Sequence, residues 1–451
     1  MRILLLLALL LPSTGALAVE GDFRIPVATR RLPNGLTVVV SEDHSAPTFG
    51  LSLTYRVGMR LEPKGRTGFA HLFEHMMFQG TPVAPKGTFD RVIEGGGGSM
   101  NGFTRPDYTT YIDSAPTSAL DAVLWLEADR MKALELSETN LRNQKDVVKE
   151  EVRVNVKNRP YGNFYWIDLA GLAFDRWENA HDGYGSFEDL ESARLADVQS
   201  FFASYYTPGN AVLAIAGDVS PDEIFAKAER YFGSIPDRPT PPRPAVDEGP
   251  NRKERRLDQK DPLAKAPAVA IGWKLPSRAA GGPAAAAVLA GVLLDGPASR
   301  LHLALVKGKE IATNANGGLN WPLGDAWDYD GPVLLTVFSI YKPTSSADEV
   351  VQVVEEELRR IAKDGIPEAE LARVKTKLES DLYDRLETPL WRAVALARAQ
   401  LFDGDAATVN AIPVRIRAVT SEDLRRLAAT VLVPSNRSVV DRQPAPPAPA
   451  K

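Results

Sequence analysis

Thr67-Gly68-Phe69-Ala70-His71-Leu72-Phe73-Glu74-His75-Met76-Met77-Phe78-Gln79, closed by Gly80, organises the whole chain. At about 100° per residue, a helix over 67–79 puts His71 at 0°, Glu74 near 300° and His75 near 40°. Phe69, Leu72, Phe73, Met76 and Met77 fall on the other side, between about 100° and 240°. Such a helix is packed on one face and turns two imidazoles and a carboxylate toward an opening. Histidines four residues apart can offer nitrogens to one tetrahedral ion, and the acid between them can reach a water held there.

The composition bears this out by elimination. The chain has 451 residues, 44% hydrophobic and 25% charged, which are globular values and call for two or more domains. A net charge of −5 gives no basic footprint, so a nucleic-acid partner is not expected. With no cysteine, disulfides, thiolate nucleophiles and iron–sulfur clusters are excluded, and a metal site has to come from His, Asp and Glu. Of only five histidines, two lie in the opening stretch; His44, His181 and His302 stand alone and read as surface or structural residues. The H-x-x-E-H order is the inverted zinc-hydrolase motif. Two histidines leave a zinc site one protein ligand short, and Glu150 or Glu151 on a second helix could complete it. Spacing alone does not choose between them.

Around this core the organisation is α+β. Residues 1–18 read as a secretory signal peptide: Arg2, an apolar run from Ile3 to Leu11, then Ala16-Leu17-Ala18 as the cleavage site. That run is too short to span a bilayer, so export to a bacterial periplasm without a stable membrane anchor is expected. Residues 19–235 form a first domain and 261–440 a second. Between them, 236–260 is a stiff, Pro-rich linker, and 441–451 is a disordered tail. Strands are expected at 36–40, 51–57, 107–113, 211–216, 268–273 and 333–339, and helices at 118–134, 138–156, 283–294 and 347–363. Gly95-Gly96-Gly97-Gly98 fits no phosphate-binding pattern and reads as a turn into a strand. Trp125, Trp166, Trp177, Tyr205 and Tyr206 read as core.

The motif, with a glutamate about 75 residues further on in Val147-Val148-Lys149-Glu150-Glu151, resembles the pitrilysin/insulinase peptidases, to which the mitochondrial processing peptidase subunits belong. Arg31 to Leu36, Gly95 to Asn101 with Thr104, Asp107, Thr109 and Tyr111, Asn158 to Gly162, and Tyr205 to Asn210 strengthen the likeness over nearly the whole mature chain. It implies two homologous domains, each a sheet packed with helices, forming a half-clamshell. It implies one zinc per chain on His71, His75 and Glu151, with Glu74 as catalytic base. Gln144 and Glu150 would stand behind the site, and Asn101 would lie beside a peptide added to a sheet edge.

One departure matters. The family's arginine and tyrosine of the C-terminal half fall here on Val306 and Thr313. The resemblance therefore implies a zinc endopeptidase subunit acting on peptides or unfolded polypeptides, whose homologous partner supplies that pair in a heterodimer. A proteolytically silent zinc-binding subunit and a self-sufficient homodimer are the alternatives.

Overall fold

A computed structural model describes residues 24–445. The expected signal peptide lies outside the described residues. Among the described residues, eleven strands form two sheets: β1 (Ala28–Arg31), β2 (Thr37–Glu42), β3 (Thr48–Tyr55), β4 (Ser99–Thr104), β5 (Thr109–Pro116) and β6 (Ala211–Gly217) in the first, and β7 (Arg255–Asp261), β8 (Ala268–Leu275), β9 (Asn316–Leu319), β10 (Val333–Ile340) and β11 (Arg437–Pro444) in the second. The first sheet runs β1-β2-β6-β3-β5-β4 and the second β7-β11-β8-β10-β9. Setting β1 aside, both have the chain order first, fifth, second, fourth, third. In both, the first pair is parallel and the remainder antiparallel. The duplication expected from the sequence is therefore present in the topology, and the chain is α+β.

Alternation along the strands divides the first sheet into two apolar faces. Val38, Val40, Leu51, Leu53, Leu213 and Ile215 pack on the helices of their own half. Val39, Val212, Ala214 and Ala216 belong instead to a core shared with Ala393 and Ala397 of the other half. The helix Pro389–Asp403 lies on β3 and β6, and Arg392 bonds Asp43 at 2.8 Å. Gly50 in β3 is dictated by this approach, because a Cβ there would stand 2.2 Å from the Leu390 backbone nitrogen. The exchange is reciprocal. The first half's helix Ile167–Ala173 covers β7, β8 and β11, with Phe164, Leu169 and Ala173 against Ala268, Phe338 and Val440.

Two expected boundaries move. Residues 236–254 carry no helix or strand, in keeping with their prolines, but β7 starts at Arg255, inside the expected 236–260 linker. Nor is that segment a free spacer: Arg243 bonds Asp330, and Glu248 bonds Asn179 and Lys274. Asp441 to Pro444, expected in the disordered tail at 441–451, instead pair with Asp258 to Asp261 of β7, and residues 446–451 lie outside the described residues. Trp125, expected in the core, is 42% exposed.

A buried ion pair joins the halves. Arg60 bonds Asp107 at 2.5 Å and Asn179 at 2.9 Å, and also reaches the Pro332 carbonyl. Asp107 in turn accepts from the backbone N–H groups of Asp330 (2.9 Å) and Gly331 (3.3 Å). Burial pushes the Asp107 carboxyl up, but the Arg60 charge and these bonds outweigh it and hold it below its ordinary value. A carboxyl depressed in the folded state stabilises the fold above its unfolded value, about 3.9, and loses that contribution as pH falls through the folded value. Asp107→Asn leaves Arg60 buried without its counter-charge and is expected to cost about 3–5 kcal/mol in urea unfolding at pH 7. The gap to the wild type should shrink below pH 4. A loss under about 1 kcal/mol at pH 7 would match an exposed pair instead and would count against this junction.

Candidate metal centre

The helix of the opening motif spans Phe69–Met76, shorter at each end than the sequence pattern. Its apolar side is buried as expected: Phe69, Leu72, Phe73 and Met76 are each at most 4% exposed. Phe73 meets Tyr206 with ring centroids 4.4 Å apart, and Tyr206 is the core residue expected. The polar side faces a cavity lined by Met59, His71, Glu74, Phe103, Thr104, Arg105, Glu151, Trp166, Tyr184 and, from the C-terminal half, Leu323.

Glu151 arrives on the last turn of the helix Glu138–Val152, which Ser137 caps by accepting from the Asn140 N–H at 3.2 Å. Leu141, Gln144, Val148, Lys149 and Val152 form its buried stripe. Taking Leu141 as 0°, that stripe runs from about 300° to 80°, with Glu151 near 280°, at its edge, and Glu150 near 180°, well outside it. The stripe thus distinguishes the two acids where spacing does not. Glu151 Oε2 lies 3.6 Å from His71 Nε2 and 3.4 Å from His75 Nε2, and the two Nε2 atoms are 3.3 Å apart. Ligands held at 2.0–2.1 Å by one tetrahedral ion are about 3.3 Å from one another, so this set of two nitrogens and one oxygen fits zinc. Among the described residues it is the one group of three or more such side chains that could hold a metal.

The protonation states suit ligation. Burial first, and the neighbouring His75 second, lower His71 to about 4 against a smaller pull from Glu151, so the imidazole is neutral. The bond to His75 holds Glu151 below its ordinary range despite partial burial. Glu74 differs: burial raises it, and the bond from Thr104 Oγ1 to its Oε2 at 2.6 Å only partly offsets this. A carboxyl shifted upward beside a metal site is what a general base requires.

The structure does not bring every expected residue together. Glu150 is 62% exposed at its side chain and bonds Arg153 at 2.9 Å, pointing away from the cavity. Gln144 is buried two turns before Glu151 and makes no hydrogen bond to His71, Glu74, His75 or Glu151. Asn101 lies on β4, one of the two edge strands of the first sheet, exposed, its Oδ1 accepting from the Gly102 N–H at 2.8 Å. The turn expected at Gly95–Gly98 leads into this strand. Gly102 lets β4 close on the motif helix, since a Cβ there would stand 3.2 Å from Glu74 Cγ. Val306 packs against the C-terminal core and Thr313 bonds the Ile340 carbonyl at 3.1 Å; neither lines the cavity.

Sequence reasoning missed Thr104 as the partner of Glu74, although it belongs to the landmark run ending at Tyr111. It also missed Trp166, taken as core, and Tyr184, whose ring meets His71 at 5.7 Å. In the second half, the helix Ala284–Leu294 occupies the place of the motif helix between the second and third strands, and it carries no His, Asp or Glu.

A duplicated two-sheet chain with a two-histidine, one-carboxylate site in its first half and none in its second defines a class of metallopeptidase fold. Residues 37–161 match the model of the insulinase family, peptidase family M16, and residues 192–378 match the model described as the peptidase M16 inactive domain. The chain belongs to the M16 family. It is 28% identical to the zinc protease PqqE of Helicobacter pylori over 390 residues, covering 86% of each chain. It is also 28% identical to an uncharacterized zinc protease of Mycobacterium leprae, covering 90% of this chain and 89% of that one. A protease structure from Helicobacter pylori superposes with a TM-score of 0.86 at 25% identity, covering 93% of this chain and all of that one. The periplasmic protease PqqL of Escherichia coli shares the fold, with a TM-score of 0.75 at 17% identity; this chain spans 48% of its length.

Proposed function

We propose that this chain is a zinc-dependent endopeptidase subunit, with His71, His75 and Glu151 holding the metal and Glu74 as the base. The observation that carries this reading is the triangle of donor atoms at 3.3, 3.4 and 3.6 Å with a buried carboxyl of raised pKa beside it. Zinc would supply Lewis acidity, bringing water toward neutral pKa and polarising the scissile carbonyl. Glu74 takes the proton of the attacking water and delivers it to the leaving amine, and Thr104 Oγ1–H orients the carboxylate by occupying Oε2. The free edge of β4, with Asn101 on it, accepts an extended peptide as an added strand, which selects unfolded substrates over folded ones.

The zinc-named M16 relatives support the metal, and the absence of an arginine and a tyrosine at Val306 and Thr313 supports a homologous partner that brings them. Among the described residues no helix is long and apolar enough to cross a membrane. The secretory pattern read in the sequence at 1–18 supports a periplasmic site of action.

The test is metal content and peptide cleavage on one preparation. One equivalent of zinc per chain, and cleavage that a chelator stops and zinc restores, are expected. Glu151→Gln should weaken zinc binding by tenfold or more, as loss of an anionic ligand does. Full metal affinity in that variant would remove Glu151 from the ligand set.

A further inference from the structure

A second acid stands at the opposite end of the motif helix from its closing glycine. The Glu62 side chain is wholly buried; its Oε2 accepts from the Gly68 N–H at 2.9 Å and its Oε1 from the Ala70 N–H at 2.8 Å. These are donors at the helix start, which an anion satisfies. A buried carboxylate also needs a counter-charge, and the ring of His181 lies against it, Nε2 to Oε2 at 3.2 Å.

The surroundings of that ring fix its charge. Nδ1 is 2.6 Å from the Trp177 carbonyl oxygen and Nε2 is 2.8 Å from the Met59 carbonyl oxygen. Both carbonyls only accept, so each ring nitrogen must carry a proton and the ring is an imidazolium. It lies flat on the Trp177 indole, centroids 4.5 Å apart and planes 10° apart, a placement that favours a cation. Other charged groups lie nearby, and none of them pairs with the ring. Arg60 holds Asp107 and Asn179, and Lys64 sits 5.9 Å over Trp177. Asp182 accepts from the Tyr184 and Gly185 N–H groups, and Glu178, which shares a hollow with His181, makes no ion pair with it.

We propose that Glu62 and His181 form a buried ion pair that positions the ligand helix, setting the angle at which His71, Glu74 and His75 meet Glu151. The inference rests on the metal reading above. The helix has eight residues, too few to hold its own direction, so its anchored first turn governs the aim of all three side chains. Sites of this kind tolerate errors of only about 0.5 Å. Glu62 and His181 touch neither substrate nor metal; they are positioning residues.

The first measurement is the protonation of His181, read from long-range proton–nitrogen spectra of the zinc-free wild type with 15N-labelled histidine. Two protonated ring nitrogens at pH 7.5 are expected, and Glu62→Gln should lower the pH at which the second proton leaves. A neutral tautomer in the wild type at pH 7.5 overturns the pair. The second is zinc affinity by chelator competition. Glu62→Gln and His181→Gln should each weaken it by about 10–100-fold. The double variant should be no worse than either single one, because the pair acts as a unit. Native-like variants with wild-type affinity would overturn the positioning role. If a variant fails to fold, the wild-type spectrum still decides the charge on which the proposal stands. A wild type that binds no zinc would strike the metal reading instead, and the spectrum separates the two failures.

Discussion

Glu74→Gln is expected to lower cleavage of a quenched fluorescent peptide by about 10²–10⁴-fold, the span a general base contributes, while the protein still takes up one zinc. Glutamine matches glutamate in shape and can keep the bond from Thr104, so the 2.6 Å contact at Oε2 need not be lost. What disappears is the ability to accept a proton. Glu74 is not one of the three donors in the triangle, so metal content separates loss of the base from loss of the site. Loss of zinc along with activity would place Glu74 among the ligands. Unchanged turnover would dismiss it as the base.

The zinc-loaded chain alone is expected to be about 10²–10³-fold slower than the same chain mixed with a homologue that carries the arginine and tyrosine. That is the magnitude of one missing donor at a developing oxyanion. The basis is positional and chemical: Val306 packs against the C-terminal core, Thr313 bonds the Ile340 carbonyl, neither lines the cavity, and neither side chain carries a guanidinium or a phenol. Full activity of the isolated chain would make a homodimer the better assembly. Silence of the mixture, with zinc in place, would favour a subunit that captures peptide without cutting it.

How far the sequence alone carries depends on the range of each interaction. The motif helix and its polar face could be read directly because their signal is local, a 3.6-residue period with two rare residues on one side. The choice between Glu150 and Glu151 was within reach as well, through the stripe Leu141, Gln144, Val148, Lys149 and Val152, though the spacing to the histidines did not reveal it. The bond from Thr104 to Glu74 crosses 30 residues and that of Arg60 to Asn179 crosses 119. Such pairings are made by the fold and leave no mark in a window of sequence. His181 shows the limit well: an isolated histidine reads as structural, and only its two carbonyl neighbours disclose a charge.

The traded helices have a consequence for how the molecule can be divided. Each sheet has a greasy back that its own half does not cover, so a gene cut within the proline-rich segment would yield two fragments with exposed apolar surfaces rather than two modules. A protease nick in the same place would leave the pieces clasped, since the pledge each half holds from the other does not run through the peptide bond that was broken.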